Sequence, residues 1–493
     1  MDGIPQPVPL VQRLPVELLT KIFSVHRKFF KPPFREADEQ GYGNARYPDE
    51  VSRLAHSDLL ALGRVCSQWH AVAIKTPALW SDVELNPVLW EKGSVSPVVL
   101  ELLRRALERS ANAPLDLLIT HNPSAEPPPA SVLALLSAES KRWRTFRGPV
   151  FLFDVHGRLG HLEQLHIETS SSISPSPAFF GALPSLRSLS VPVSNAMLET
   201  VVSAGILFEH LTRCAFRFTL PDHGRLVSKT LPFATALPPG ADLLLFFDLT
   251  EADSTMVEIP LSTLQISSLT LEIECSDNHK TIGAIFARLV LPRLASLSLV
   301  SHTYTDFMNV YPVAWPHNTF CELSARSGFA TTLLDLNLYD VKIGRDDLLK
   351  CLRRLPALER LALSDHVSDH GRAMYLLDDN LFRALTMHGG ETESKDDDTA
   401  PLVPRLRALR LRSGFKPRGF TDHVFAAFIV SRVRGMSSSG DSPAQLLLPV
   451  FDVSIKAVED YYRNIDPKAA AGLEKYIASG ELAFEWGYLY YDI

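Results

Sequence analysis

A motif of the form L-P-x-L-x-x-L-x-L recurs along the chain. It reads "LPSLRSLSV" from Leu183, "LPRLASLSL" from Leu291, "LPALERLAL" from Leu355 and "VPRLRALRL" from Val403. Looser copies are "HLEQLHI", "HLTRCAF", "QISSLTLEI" and "TLLDLNL". Leu162, Leu186 and Leu211 are spaced by 24 and 25 residues, Ile266 and Leu294 by 28, and Leu333 and Leu358 by 25. The proline rules out a helix interior, because it lacks an N–H and clashes with the preceding turn. The L-x-L end fits a short strand whose alternate side chains point one way.

That period and spacing are those of leucine-rich repeats. One repeat cannot bury its own apolar edge, so neighbours stack into a solenoid. The alternative is an ordinary α/β domain with leucine-rich elements, and the uneven spacing keeps it open. The acidic "GGETESKDDDT" and the stretch from Ser301 to Arg326 read as insertions between repeats. Within each motif the residues between the leucines face away from the core. They form candidate target-binding sets: Gln164, His166 and Glu168; Asp335, Asn337 and Tyr339; Arg360, Ala362 and Ser364; Ala408, Arg410 and Arg412. Taken singly, most of these positions are better explained as a solvated strand face; only as a set do they suggest target contact, and their mixed charge names no target class.

The first 85 residues have a different texture. "LPVELLTKIF" reads as a short helix from Leu14 to Phe23, with Pro15 in its first turn and Glu17 near its positive end. A polar loop rich in Pro and Gly comes next, over about residues 26–56. "HSDLLALGRVCSQWHAVAIK" reads as one helix with Leu59, Leu62, Val65, Cys66, Trp69, Val72 and Ala73 on its apolar face. It ends at Thr76, which the following Pro77 pushes out of helical geometry. "WSDVEL" and "PLDLLIT" read as strands, with the helix "VVLELLRRALERS" between them. Beyond residue 415 come a helix, a serine-rich loop, a strand, a helix from "AVEDYY" onward and the aromatic "ELAFEWGYLYYDI", which is expected to close the end of the solenoid.

A net charge of −7 argues against binding nucleic acid through phosphate neutralisation. No run of eighteen apolar residues suggests a membrane span, and "MDGIPQPVPL" lacks the pattern of a secretory leader. Cys66, Cys214, Cys275, Cys321 and Cys351 are far apart, odd in number and without zinc-ligand spacing. The expectation is an intracellular protein, cytoplasmic or nuclear. No nucleotide-binding, hydrolase or metalloprotease motif appears, so neither catalysis nor a cofactor is expected.

The two N-terminal stretches together resemble the F-box. The resemblance rests on Leu14-Pro15, Glu17-Leu18, Ile22-Phe23, Val65-Cys66, Trp69 and the closing Pro77…Leu79-Trp80. The long loop at about 26–56 departs from the usual pattern. The remainder of the chain is similar to the leucine-rich regions that often succeed an F-box, particularly in large fungal families. The fold expected is therefore α/β: a small all-α module at 1–85, then an irregular solenoid of short parallel strands and helices at 98–493, capped from about 415. The resemblance implies a non-catalytic substrate receptor of an SCF-type ubiquitin ligase. It would hold a Skp-family adaptor, and through it a cullin and a RING protein, while the repeats select a protein target. Expected adaptor contacts are Leu14, Pro15, Leu18, Ile22 and Phe23 on the first helix, and Leu62, Val65 and Trp69 on the second; Trp69 and Trp80 are also candidates for packing the module onto itself. The competing reading is a scaffold whose F-box-like segment only caps the repeats, or binds the adaptor outside a cullin ligase.

Overall fold

A computed structural model describes residues 14–30, 57–91, 94–120, 127–149, 155, 158–168, 183–203, 206–218, 223–248, 259–274, 279–302, 313–367, 373–387, 402–413, 419–438, 450–458 and 466–489. The chain divides into two compact units, 1–207 and 208–491. The expected acidic insertion at 389–399 and most of the expected loop at 26–56 lie outside the described residues.

The first unit opens with three helices: α1 (Val16–Phe30), α2 (Ser57–Leu62) and α3 (Ser67–Lys75). Leu19 and Phe23, four residues apart on α1, are fully buried against Leu59, Val72, Ala73, Leu79 and Trp80. Burial of each such side chain contributes roughly 2–3 kcal/mol. Gln68 Nε2 donates to the Leu14 carbonyl at 2.9 Å, which ties α3 to the start of α1. Trp80 donates through Nε1 to Ala73 O at 2.8 Å and lies under the Arg109 guanidinium at 4.4 Å.

Two expectations are corrected here. α1 runs on to Phe30, so the intervening segment starts later than residue 26; it stops just before the Pro32-Pro33 pair. The single helix expected from Ser57 to Lys75 is two helices. Gly63 follows the last helical turn of α2, and Cys66 is extended (φ −162°, ψ 172°), which restarts the chain in a new direction. The break takes Val65 off the common apolar face and leaves it 53% exposed. The expected stop at Thr76 is present, with extended dihedrals before Pro77.

Beside the short antiparallel pair Trp90–Glu91 and Ser94–Val95, the described residues of this unit form the strands β1 (Asp82–Leu85), β2 (Leu115–Ile119), β3 (Trp143–Gly148), β4 (Gln164–Ile167) and β5 (Ser188–Pro192). Each is parallel to the next. Helices α4 (Pro97–Arg109), α5 (Ala130–Ala138) and α6 (Asn195–Ser203) lie between or after them in sequence. Ser96 caps α4, its Oγ accepting from Val98 N at 3.3 Å, with Pro97 at the first helical position. β3 ends at Gly148 with φ +143°, where a Cβ would meet the Ile119 carbonyl oxygen at 2.6 Å. Gly148→Ala therefore should cost about 3 kcal/mol, read as a lower urea midpoint for the transition of this unit.

Apart from two-residue strands, the described residues of the second unit form β6 (Arg213–Phe218), β7 (Asp242–Asp248), β8 (Ser268–Glu274), β9 (Ser296–His302), β10 (Asp335–Tyr339), β11 (Arg360–Ser364), β12 (Ala408–Ser413), β13 (Phe451–Val458) and β14 (Leu482–Leu489). All neighbours in this series are parallel. Their registers align one apolar column, with Leu243, Leu269, Leu297, Leu336, Leu361, Leu409, Val453 and Phe484 as successive partners. Parallel pairing requires long crossovers, and among the described residues helices lie in all of them but the one from β7 to β8: α7 (His223–Thr235), α8 (His279–Arg288), α9 (His317–Ser327), α10 (Arg345–Arg353), α11 (Asp379–Leu385), α12 (Asp422–Ser438) and α13 (Pro467–Ala478). "ELAFEWGYLYYDI" contains β14, Leu482–Leu489. The helix expected from Ala457 is corrected: Ala457 and Val458 end β13, and α13 begins at Pro467. Asp466 caps it by accepting from Lys468 N and Ala469 N, and a proline at the first helical position fixes that start.

Asp365, 4% exposed, joins two neighbouring segments of this unit. It accepts from Leu377 N at 2.9 Å and from the Ser413 hydroxyl at 3.1 Å. Burial outweighs these donors and pushes its carboxyl up from 3.8 to about 6. A carboxyl raised on folding favours the folded state below its unfolded value, and that contribution is lost as pH climbs through about 6. The linked loss is on the order of 3 kcal/mol at about 1.4 kcal/mol per unit. Asp365→Asn keeps both contacts, with Ser413 becoming an acceptor. The variant should melt higher than wild type at pH 8 and match it at pH 4, a difference that Tm against pH reads directly.

Candidate functional site

Some of the residues singled out in the sequence lie on α1. Leu19 and Phe23 occupy its inner side, which leaves Leu18, Ile22 and Val25 on another, at i, i+4 and i+7. These three aliphatic side chains are 49%, 43% and 43% exposed, and Val16 is 50% exposed at the helix start. Pro15 is exposed and Leu14 half-buried against the helical core. Leu62 and Trp69 are partly buried against that same core, and the Trp69 ring meets Phe23 edge-on at 5.2 Å. Phe23 has no exposed surface at all, so its expected adaptor contact is corrected to a structural role. Removing such a row of aliphatic side chains from water is a favourable step.

Residues 11–86 match the F-box-like family model. F-box domains generally bind Skp-type adaptors, so adaptor binding is the activity this segment suggests. A comparison with curated proteins finds no match. The F-box-like segment thus comprises α1 to α3 with β1, and the aliphatic ridge belongs to it. Val16 and Val25 are exposed on the same helix beside the residues singled out in the sequence. Sequence reading missed Val25 because a loop was expected to begin beside it.

The other residues singled out lie on strand faces, separately in each unit. In the first unit Gln164 is exposed, while His166 and Glu168 are half-buried. Arg147 donates to Glu168 at 2.9 Å, and Arg144 pairs with Asp116 on the neighbouring strand. In the second unit, β10, β11 and β12 bring the other three sets together. Asp335 pairs with Arg360, and Asp335, Arg360 and Ala408 are successive register partners. Asn337 aligns with Ala362 and Arg410. Arg412 lies over the Tyr339 ring at 3.8 Å, reaching across Ser364. Burial pushes the Tyr339 hydroxyl up, and Arg412 and Arg410 work against that. Ala362, Ser364 and Ala408 stand at the expected register but are 8%, 2% and 9% exposed, because longer neighbours overlie them. They are corrected from contact residues to the floor of the face.

The fold also places His317 between Cys321 and Cys351, at 3.6 and 3.5 Å. Burial pushes the Cys351 thiol up to about 12, so it stays protonated at neutral pH. Among the described residues no group of three or more His, Cys, Asp or Glu is arranged to hold a metal ion. No helix among them is long and apolar enough to cross a membrane.

Proposed function

We propose that this chain is the non-catalytic substrate-recognition subunit of an SCF-type ubiquitin ligase, with the α1 ridge seated on a Skp-family adaptor. The observation that carries the reading is the unpartnered aliphatic row Leu18, Ile22 and Val25 within the segment that matches the F-box-like family. On this reading the adaptor leads to a cullin and a RING protein. The parallel strands are a leucine-rich-repeat-type solenoid whose open face takes the protein target. The chain forms no bond itself; it holds the target's lysine near a charged conjugating enzyme and so raises effective concentration. Neither a cofactor nor nucleic acid has a part in this scheme.

The test is a titration of the purified full chain with a purified Skp-type adaptor. A 1:1 complex at micromolar concentration or tighter is expected, and no binding at that concentration would end the proposal. A second reading has its own support. Trp80 beneath Arg109, with Ala106 in the same buried cluster, joins the F-box-like segment to α4 as a cap would. If capping were the whole role, removing residues 1–85 would aggregate the remainder, while the intact chain would ignore the adaptor.

A further inference from the structure

The open face of the second unit neutralises its charges by cross-strand pairing in one place and leaves them bare in another. Arg360 is matched by Asp335. On the next two strands Arg412 and Lys456 are register partners, about 4.8 Å apart at Cα. Arg410 stands two residues before Arg412 on the same strand and the same face. Among the described residues none of these three cations forms an ion pair. The carboxylates nearest in register are Asp452, the partner of Ala408, and Glu485, which takes the Ser454 hydroxyl at 3.1 Å; Asp340, next to Tyr339, accepts from the Ser364 hydroxyl at 3.4 Å. Like charges side by side on neighbouring strands destabilise a sheet. Beside them the floor is made of Ala362 and Ser364, so nothing bulky stands between Tyr339 and the arginine strand except the Arg412 side chain itself. Tyr339 holds that guanidinium flat, which lowers the entropy lost when it captures an anion.

We infer that Arg410, Arg412 and Lys456 form the recognition patch for an acidic, extended segment of a protein target, one carrying Asp or Glu at alternate positions. Alternate side chains of an extended peptide are about 6.7 Å apart, the same spacing that separates Arg410 from Arg412 along β12. Each arginine can grip a carboxylate through two N–H groups. That the segment belongs to a ubiquitination target rests on the receptor reading; the binding itself does not.

The experiment uses the full chain and a fluorescein-labelled dodecapeptide of alternating Glu and Ser, with two controls in which Lys or phosphoserine replaces Glu. Anisotropy should show the Glu peptide binding and the Lys peptide not. Raising the salt from about 50 to 500 mM should weaken binding at least tenfold. Arg410→Gln with Arg412→Gln should weaken it more than tenfold while leaving Tm unchanged or raised, because a like-charge contact is relieved. Arg213→Gln, on β6 of the same face, should leave binding intact. Equal binding by the double variant, equal binding of the Lys peptide, or binding of the phosphoserine peptide alone would each overturn the inference. Adaptor binding is measured on the same preparations, so failure here and failure of the receptor reading are separate results.

Discussion

Arg432→Met should destabilise the second unit by about 3–5 kcal/mol, the range for removing one partner of a buried charged group. Arg432 has no exposed surface, and among the described residues no carboxylate receives it. Its guanidinium donates to the carbonyls of Leu385 (Nε at 2.8 Å, with Nη2 as a second donor), Val403 (2.7 Å) and Leu402 (2.7 Å). Burial lowers its pKa to about 10, which still leaves it charged at pH 7. Replacing a buried ion pair by apolar residues is often harmless because both partners go. Here the partners are backbone carbonyls and cannot go. Methionine fills much of the space and strands three acceptors, each at a cost of about 1–3 kcal/mol. Arg432→Lys restores a charge but not the planar fork that spans acceptors on two segments, so it should recover only part of the loss. Urea unfolding of the full chain, followed by far-UV circular dichroism, measures both; a methionine variant within 1 kcal/mol of wild type would refute this account.

Arg432 belongs to a pattern that no reading of the sequence alone could reach. Arg142 donates to Leu107 O and Ala113 O, and Arg326 to Phe286 O and Leu289 O. In each case an arginine reaches a carbonyl in the last turn of an earlier helix (Leu107 in α4, Phe286 in α8, Leu385 in α11), where such groups lack intrahelical partners. In sequence each is a basic residue 29 to 47 positions from its acceptors. Strands were legible where leucines alternate, because a period of two identifies a strand with one buried face. β3 was not, since it buries Trp143 and Phe146 in place of the leucine motif. β7, "DLLLFFD", escaped because its continuous apolar run shows no alternation. The charged face needed the register: only the pairing of Asp335 with Arg360, and of Arg412 with Lys456, separates neutralised arginines from bare ones. On α1 the sequence offered apolar residues on every side, so Leu18 and Ile22 could not be told from Leu19 and Phe23 without the packing of α2 and α3.

That division on α1 sets the second large effect. Leu18→Glu with Ile22→Glu should weaken adaptor binding by more than a hundredfold while changing Tm little. Both side chains are close to half exposed, so placing carboxylates there costs the free chain little. In the complex the same carboxylates would be taken from water without partners, at several kcal/mol each. A hundredfold loss needs only about 2.7 kcal/mol. Phe23→Ala should do the opposite. It empties a fully buried site against Trp69 and Trp80, costing about 3–5 kcal/mol of stability. Its effect on binding should then track the fraction of folded chain and vanish when corrected for it. Pro15→Ala and Val25→Glu test the ends of the ridge, and Val25→Glu should act nearly as strongly as Ile22→Glu alone if the adaptor covers the helix beyond Phe23. If Leu18→Glu with Ile22→Glu binds as wild type does, the ridge is not the docking surface, whatever the fate of the receptor reading.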